Sequence, residues 1–280
     1  MSIQAAMLPD GKRLHLQHGP IDLIIGADSE TAQVRRAYMA ARARFETVLA
    51  RLVDELPLLR SEIPEQGLPL EGPVAMRMAR AVQPYWQQRV TPMAAVAGSV
   101  ADEVLEAMLY AADLGRVYVN NGGDIALHLG EGGRFSIASA NGLVSVTAGD
   151  GVGGIATSGR HGRSHSLGIA DSVTVLARCG AEADVAATLI ANAVDLPGSQ
   201  KITRQPAREL APDSDLRDRL VTVGVMPLDQ DETSDALARG AAVAQEFQRR
   251  GLIIAATLGL NDRVHRVEPV TLIDRKPAHA

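Results

Sequence analysis

The sequence predicts an α+β fold organised on a largely antiparallel sheet. Six short runs between Arg116 and Ala177 are apolar or alternate apolar with polar residues, and each is bounded by Gly, Asn or Asp, as successive strands of a half-solvated sheet are. Segments with helical apolar spacing lie on both sides of that region, so helices are expected at both ends of the sheet. A hydrophobic content of 46% over 280 residues is ample for a substantial core.

Taken in order, Arg13–His18 and Pro20–Gly26 read as two strands separated by Gly19, after which Asp28 or Ser29 can cap one long helix towards Glu55. Residues 57–73 hold four prolines and two glycines among scattered charges, which predicts an exposed loop. A second helix is expected over Val74–Gln83 and a third after Thr91-Pro92, Ala-rich and ending near Leu114-Gly115. The strands RVYVN, DIALHL, RFSIAS, LVSVTA, GIAT and SVTVLA follow. A helix over Ala181–Val194 and a less regular stretch to Arg219 come next. Strand 220–226, helix 231–249 and strand 252–258 then read as a closing βαβ unit. The chain is expected to form a single domain over 1–280, with a flexible tail from 267.

A net charge of −5, without basic runs interleaved with aromatics, excludes nucleic acid as a main partner. The single cysteine, Cys179, cannot build a disulfide framework or a cysteine metal site within one chain. No run reaches the ~20 apolar residues that span a bilayer, and the first residues lack a signal pattern, so a cytoplasmic protein without a membrane partner is expected. The Ala-rich helices and the sheet would tolerate a homodimer.

Four motifs carry candidate chemistry. Asn120-Asn121-Gly122-Gly123-Asp124 joins two strands with residues that accept positive φ; it reads as a hairpin, and as a site only if Asp124 is buried beside other polar groups. Gly149–Gly154 satisfies G-x-G-x-x-G, but the IATSG that follows reads as a strand, so no dinucleotide fingerprint is present and close backbone packing is expected. The loop Thr157-Ser158-Gly159-Arg160-His161-Gly162-Arg163 gathers two hydroxyls, two glycines and two guanidiniums, which suits an anionic, oxygen-rich ligand and equally a solvated turn. His165 lies two residues beyond and can serve as a general base; His161 reads as a surface histidine. Asp184 and Thr188 stand four apart on a helix, where they could share a hard cation such as Mg2+, or could serve the helix dipole and a backbone carbonyl.

The order of these motifs resembles the ApbE family of FAD:protein FMN transferases, and most of all a divergent, uncharacterised branch of that superfamily. The resemblance spans roughly Thr91–Val194: Asn120–Asp124 is similar to the family's A-G-G-D turn, Ile155–Gly159 to its T-S-G strand end, and Ser172–Val175 to its following S-V-T-V strand. Ala183, Asp184 and Thr188 match its A-D-x-x-x-T signature, which implies Mg2+ bound by Asp184 and Thr188 against the FAD diphosphate. His165 occupies the place of a histidine that opens a flavin-facing loop, without the proline and T-G that follow there. Ala95–Asp102 is similar to an I-A-K-G-Y-A-V-D helix segment, with Ala97 for the lysine and Ser99 for the tyrosine; losing that charged donor would cost ~1.5–3 kcal/mol of ligand affinity.

The resemblance implies an ApbE-like fold, FAD as substrate or ligand, Mg2+, and FMN transfer to a protein Ser/Thr or cleavage of the FAD diphosphate. His165 is then the catalytic base, and Asn121, Gly122, Gly123, Asp124, Thr157, Ser158, Gly159, Arg160 and Arg163 line the ligand. The departures keep open a non-catalytic flavin or phosphorylated-ligand binder, and a cofactor-biosynthesis enzyme that retained the fold.

Overall fold

The computed structural model describes residues 3–139, 142–162 and 164–268. The chain divides into two compact units: the first holds Met1–Ile137, Val144–Ala156 and Arg178–Val185, the second Ala138–Leu143, Thr157–Ala177 and Ala186–Ala280. The fold is α+β, as expected, and every recorded strand register is antiparallel.

The first unit opens with strands β1 (Gln4–Met7), β2 (Leu14–His18) and β3 (Ile21–Asp28), followed by helices α1 (Thr31–Phe45), α2 (Val48–Asp54), α3 (Leu56–Leu59), α4 (Pro73–Val82) and α5 (Val96–Ala111). Strands β4 (Arg116–Asn121) and β5 (Asp124–Leu129) complete the order β1-β2-β3-β4-β5, and Gly154 and Ile155 of β8 (Gly154–Ser158) pair with Ala126 and Ile125 of β5. Alternation places Leu16, Leu23, Ile25, Val117 and Val119 on one face, where they join Ala37, Ala41 and Phe45 of α1 with Val100, Val104 and Met108 of α5 in one apolar cluster. Strands β6 (Arg134–Ser139) and β7 (Gly142–Thr147) form a separate two-stranded ladder.

In the second unit β9 (Ser172–Ala177) pairs with β12 (Ala255–Leu260), which pairs with β13 (Arg263–Val267). Strands β10 (Ile202–Pro206) and β11 (Leu220–Val225) form a second ladder, with the short α7 (Ala207–Leu210) between them in the chain, and α8 (Gln230–Arg249) packs on β12 and β13. Helix α8 starts at a capping box: Asp229 accepts from the N–H of Asp231 and Glu232, and Glu232 accepts from the N–H of Asp229 at 2.8 Å. Helix α6 (Gly180–Ala193) begins in the first unit and continues into the second.

Four expectations change. The helix expected from Ser29 to Glu55 breaks at Glu46-Thr47, because the Thr47 hydroxyl bonds Arg44, accepting from its Nη1 at 2.8 Å and donating to its carbonyl, which competes with helix continuation. Its expected caps are engaged elsewhere: Ser29 Oγ donates to the Asp113 carbonyl and Asp28 pairs with Arg116. Residues 57–73 are not an exposed loop throughout, since Leu59, Ile63 and Leu70 are buried and α3 reaches Leu59; their apolar side chains anchor a segment whose prolines prevent longer regular structure. Among the described residues the last strands form no βαβ unit, because β11 pairs with β10 and β12 pairs antiparallel with β9 and β13. Val267 closes β13 and is buried, and the Glu268 carbonyl accepts from Gln248 Nε2 at 2.7 Å, so the segment expected as a tail is anchored at its first two residues; residues 269–280 lie outside the described residues. Among the described residues no helix is long and apolar enough to cross a membrane.

Candidate functional site

In the first unit, the start of α5 and the start of α6 cap each other. Asp102, on the second turn of α5, accepts from the backbone N–H of Gly180 at 2.8 Å and of Ala181 at 2.9 Å, the two free donors that open α6. In return Asp184, on the second turn of α6, accepts from the N–H of Gly98 at 3.0 Å, one of the free donors at the start of α5. Close approach makes this possible: a Cβ on Gly98 would lie 2.2 Å from the Gly180 carbonyl oxygen. The small residues Ala95, Ala97 and Gly98, with Gly180, Ala181 and Ala183, are therefore the sequence's means of bringing two helix N-termini together.

The Asn120–Asp124 hairpin adds to the same group. Gly122 and Gly123 both have positive φ (65° and 117°), and Asn120 Oδ1 accepts from the Gly123 N–H, so the tight turn seats Asn121 opposite Asp124 in the ladder. Asn121 is buried and its amide donates to the Ala97 carbonyl at 3.1 Å. Asp184 is half-buried, and its carboxyl is held well above the usual carboxylate range, first by loss of water around it and next by the negative charge of Asp124, against the opposing pull of the Gly98 and Ala97 N–H groups. Two carboxylates thus face each other electrostatically beside a backbone carbonyl and two helix N-termini. Thr188 follows Asp184 by one turn of α6 and is half-buried. Among the described residues no group of three or more His, Cys, Asp or Glu is gathered for a metal ion.

Burial also raises the Asp102 carboxyl, while its bonds to Ala181 and Gly180 lower it. Burial, and then the Asp102 charge, push the neighbouring Cys179 thiol up to about 12, so this is an unreactive thiol. Asp102→Ala is expected to destabilise the protein by about 2–3 kcal/mol, because two buried N–H groups lose their acceptor and this outweighs the relief of desolvation. Urea denaturation measures it; a loss below ~1 kcal/mol would mean that the two donors find other partners.

The second unit holds the Thr157–Arg163 loop. Thr157 and Thr174 share a hydroxyl hydrogen bond at 2.9 Å, Ser158 is half-buried, and Gly159 packs its Cα against the Asp171 backbone, where a Cβ would meet the Asp171 carbonyl oxygen at 2.4 Å. Arg160 donates through Nε (2.8 Å) and Nη2 (2.7 Å) to Asp171 Oδ1, which His161 Nε2 also approaches at 3.1 Å; Asp171 Oδ2 accepts from the Asn261 N–H. Asp171 is the hub of this loop, a role its sequence position does not reveal. Arg163 lies outside the described residues. His165 is exposed, and the segment after it is fastened by Asn192, whose side-chain oxygen accepts from the Leu167 N–H, and by tight packing of Gly168 on the Ala191 carbonyl.

The glycines of 149–154 act as close-packing positions. A Cβ on Gly153 would lie 2.2 Å from the Arg178 carbonyl oxygen and one on Gly154 would lie 2.0 Å from the Cys179 carbonyl carbon, which accounts for the motif without a nucleotide.

Among proteins of known sequence, the UPF0280 protein of Methanothrix thermoacetophila is 33% identical over 193 residues, covering 66% of this chain and 78% of that protein. Among solved structures, the apo flavinyl transferase ApbE of Pseudomonas stutzeri aligns over 100% of this chain and 98% of its own, with 12% identity and a TM-score of 0.47. A mutant of the flavin transferase ApbE from Vibrio cholerae covers 94% and 99% with 13% identity and a TM-score of 0.44. The model of the family AbpE bacteria matches residues 5–266, and the chain belongs to that family.

Proposed function

We propose that this protein binds FAD, or a related flavin nucleotide diphosphate, together with Mg2+ at the group formed by Asp184, Asp124, Asn121 and the Ala97 carbonyl. The observation that carries the reading is the raised carboxyl of Asp184: it lies within the electrostatic reach of Asp124, accepts from the Gly98 N–H, and neighbours the Ala97 carbonyl that Asn121 holds. A bound cation would relieve the repulsion from Asp124. The donors fit Mg2+, since carboxylate, carbonyl and hydroxyl oxygens are the ligands a hard cation takes, and Thr188 offers a hydroxyl one helical turn on. Phosphate oxygens and water would complete the coordination that the protein side chains leave incomplete.

When bound, the metal would neutralise charge on the diphosphate. The protein's own groups do the rest. The Gly98 N–H orients the Asp184 carboxylate, Asn121 holds the Ala97 carbonyl in place, and the Gly122-Gly123 turn leaves backbone exposed for close approach. His165, exposed on its loop, is proposed as the base that takes the proton of an acceptor Ser or Thr hydroxyl as its oxygen bonds to the FMN phosphorus and AMP departs. Thr157, Ser158 and Gly159 are proposed as further ligand contacts, and Arg163 keeps its expected role. Arg160 already spends two donors on Asp171 and is proposed chiefly to shape the loop.

A second reading, stoichiometric binding without transfer, is favoured by Ala97 where the resembling family has lysine, which leaves no side-chain charge at that position. Incubation with FAD, Mg2+ and a candidate acceptor separates the two. Release of AMP with covalent flavin supports transfer, and bound FAD without AMP supports the second reading. Calorimetry that detects no FAD binding in Mg2+ overturns both.

A further inference from the structure

We propose that the groove between β1 and α1 in the first unit is a docking site for an extended peptide that carries acidic and apolar residues on one face and adds as a strand to the open edge of β1. The groove encloses about 650 Å3 and lies apart from the residues assigned above. Its lining takes Ala5, Ala6 and Met7, three consecutive positions of β1, together with Leu14 and Ala27 of the next two strands. Among the described residues β1 pairs only with β2, and all four of its residues are exposed. Such an edge offers main-chain donors and acceptors in a row.

The opposite wall is one face of α1, where Val34, Tyr38 and Met39 recur at helical spacing. Tyr38 is held as part of that wall, its hydroxyl donating to the Lys12 carbonyl at 2.6 Å and accepting from the Ala27 N–H. Met39 is 65% exposed, an apolar side chain on the solvent side of the wall.

Charge selects the occupant. Among the described residues the groove is lined by Lys12, Arg35 and Arg42 and by no Asp or Glu, in a chain whose net charge is −5. Of the three, Arg42 has Glu46 at 3.8 Å, a long contact between exposed groups that leaves it available. A strand beside β1 would place alternate side chains against α1, apolar ones on Val34, Tyr38 and Met39 and carboxylates on the cations.

The test is fluorescence anisotropy with the labelled octapeptide Leu-Thr-Glu-Thr-Leu-Thr-Glu-Thr, which puts leucine and glutamate on one face. Saturable binding is expected, weakened at least ~10-fold when both glutamates become lysine, when alternate backbone nitrogens are methylated, or when the protein carries Arg35→Glu with Arg42→Glu. Met39→Asp, a change at an exposed position, is expected to weaken binding of the same peptide without altering the circular dichroism of the protein. No binding, or equal binding of the N-methylated peptide, overturns the proposal. Binding of dodecanoate in place of the peptide overturns it in favour of a small amphipathic anion, and a dimer dissociated by the Arg35/Arg42 variant overturns it in favour of a second copy of this chain.

Discussion

Gly98→Ala is expected to lower stability by at least ~3 kcal/mol, the upper part of the range for overpacking a close-packed interior. Two effects oppose each other. In an isolated helix alanine is favoured over glycine by about 1 kcal/mol, because glycine loses more backbone freedom on folding. Here the added Cβ would lie 2.2 Å from the Gly180 oxygen, 2.4 Å from its carbonyl carbon and 2.7 Å from the Ala181 nitrogen, all backbone atoms that cannot rotate away. The helices must separate, which lengthens the bonds from Gly180 and Ala181 to Asp102 and from Gly98 to Asp184. Urea denaturation should show a lower midpoint for Gly98→Ala, with FAD affinity falling alongside it. A midpoint at or above that of the parent protein would show that α5 and α6 are not in this contact.

The sheet was legible because its strands carry their own punctuation. The DIALHL, RFSIAS and SVTVLA runs occupy 124–129, 134–139 and 172–177 as read, each bounded by turn residues. Strands whose stability comes from neighbours gave no such signal. The Gln-Ala-Ala-Met of β1 has no alternation and pairs, among the described residues, with β2 alone, and the Arg-Val-His-Arg-Val of β13 is largely polar and forms because a two-residue turn, with Asn261 at φ +52°, folds it back on β12. The break in the first long helix likewise depends on where one hydroxyl points, which helical periodicity does not encode.

In the candidate site, Asn121, Asp124 and Asp184 stood out in the sequence because turn chemistry and helical spacing are local properties. What it could not show is partnership across long separations. Asp102 and Gly180 are 78 positions apart, Gly98 and Asp184 are 86 apart, and their bonds exist only because glycines and alanines let two helices approach. Arg160 illustrates the converse: two arginines among glycines suit a phosphate by composition, yet Asp171 at hydrogen-bond distance is the anion that Arg160 meets.

Asp184→Asn is expected to separate function from stability. A neutral amide oxygen can still accept from the Gly98 N–H, while the repulsion from Asp124 and the cost of keeping a charge away from water disappear. The sign follows from linkage. A carboxyl whose folded value is raised binds its proton more tightly in the folded state, so its stabilising effect is complete below the unfolded value near ~4 and is lost as pH rises through the raised value. The parent protein should therefore lose stability over that window and the variant should lose less, a residual slope belonging to Asp102, whose shift has the same direction. At pH 7 without divalent ions the variant should melt at least ~2 °C higher. Mg2+ should reverse the order, because a cation that binds only the folded parent stabilises it by ~2.7 kcal/mol at a hundred times its Kd and leaves the variant unmoved. Thermal melts of both proteins with and without MgCl2 decide the matter. A variant that melts lower at pH 7 would make Asp184 a helix cap first, and one that gains as much from Mg2+ as the parent would place the cation elsewhere.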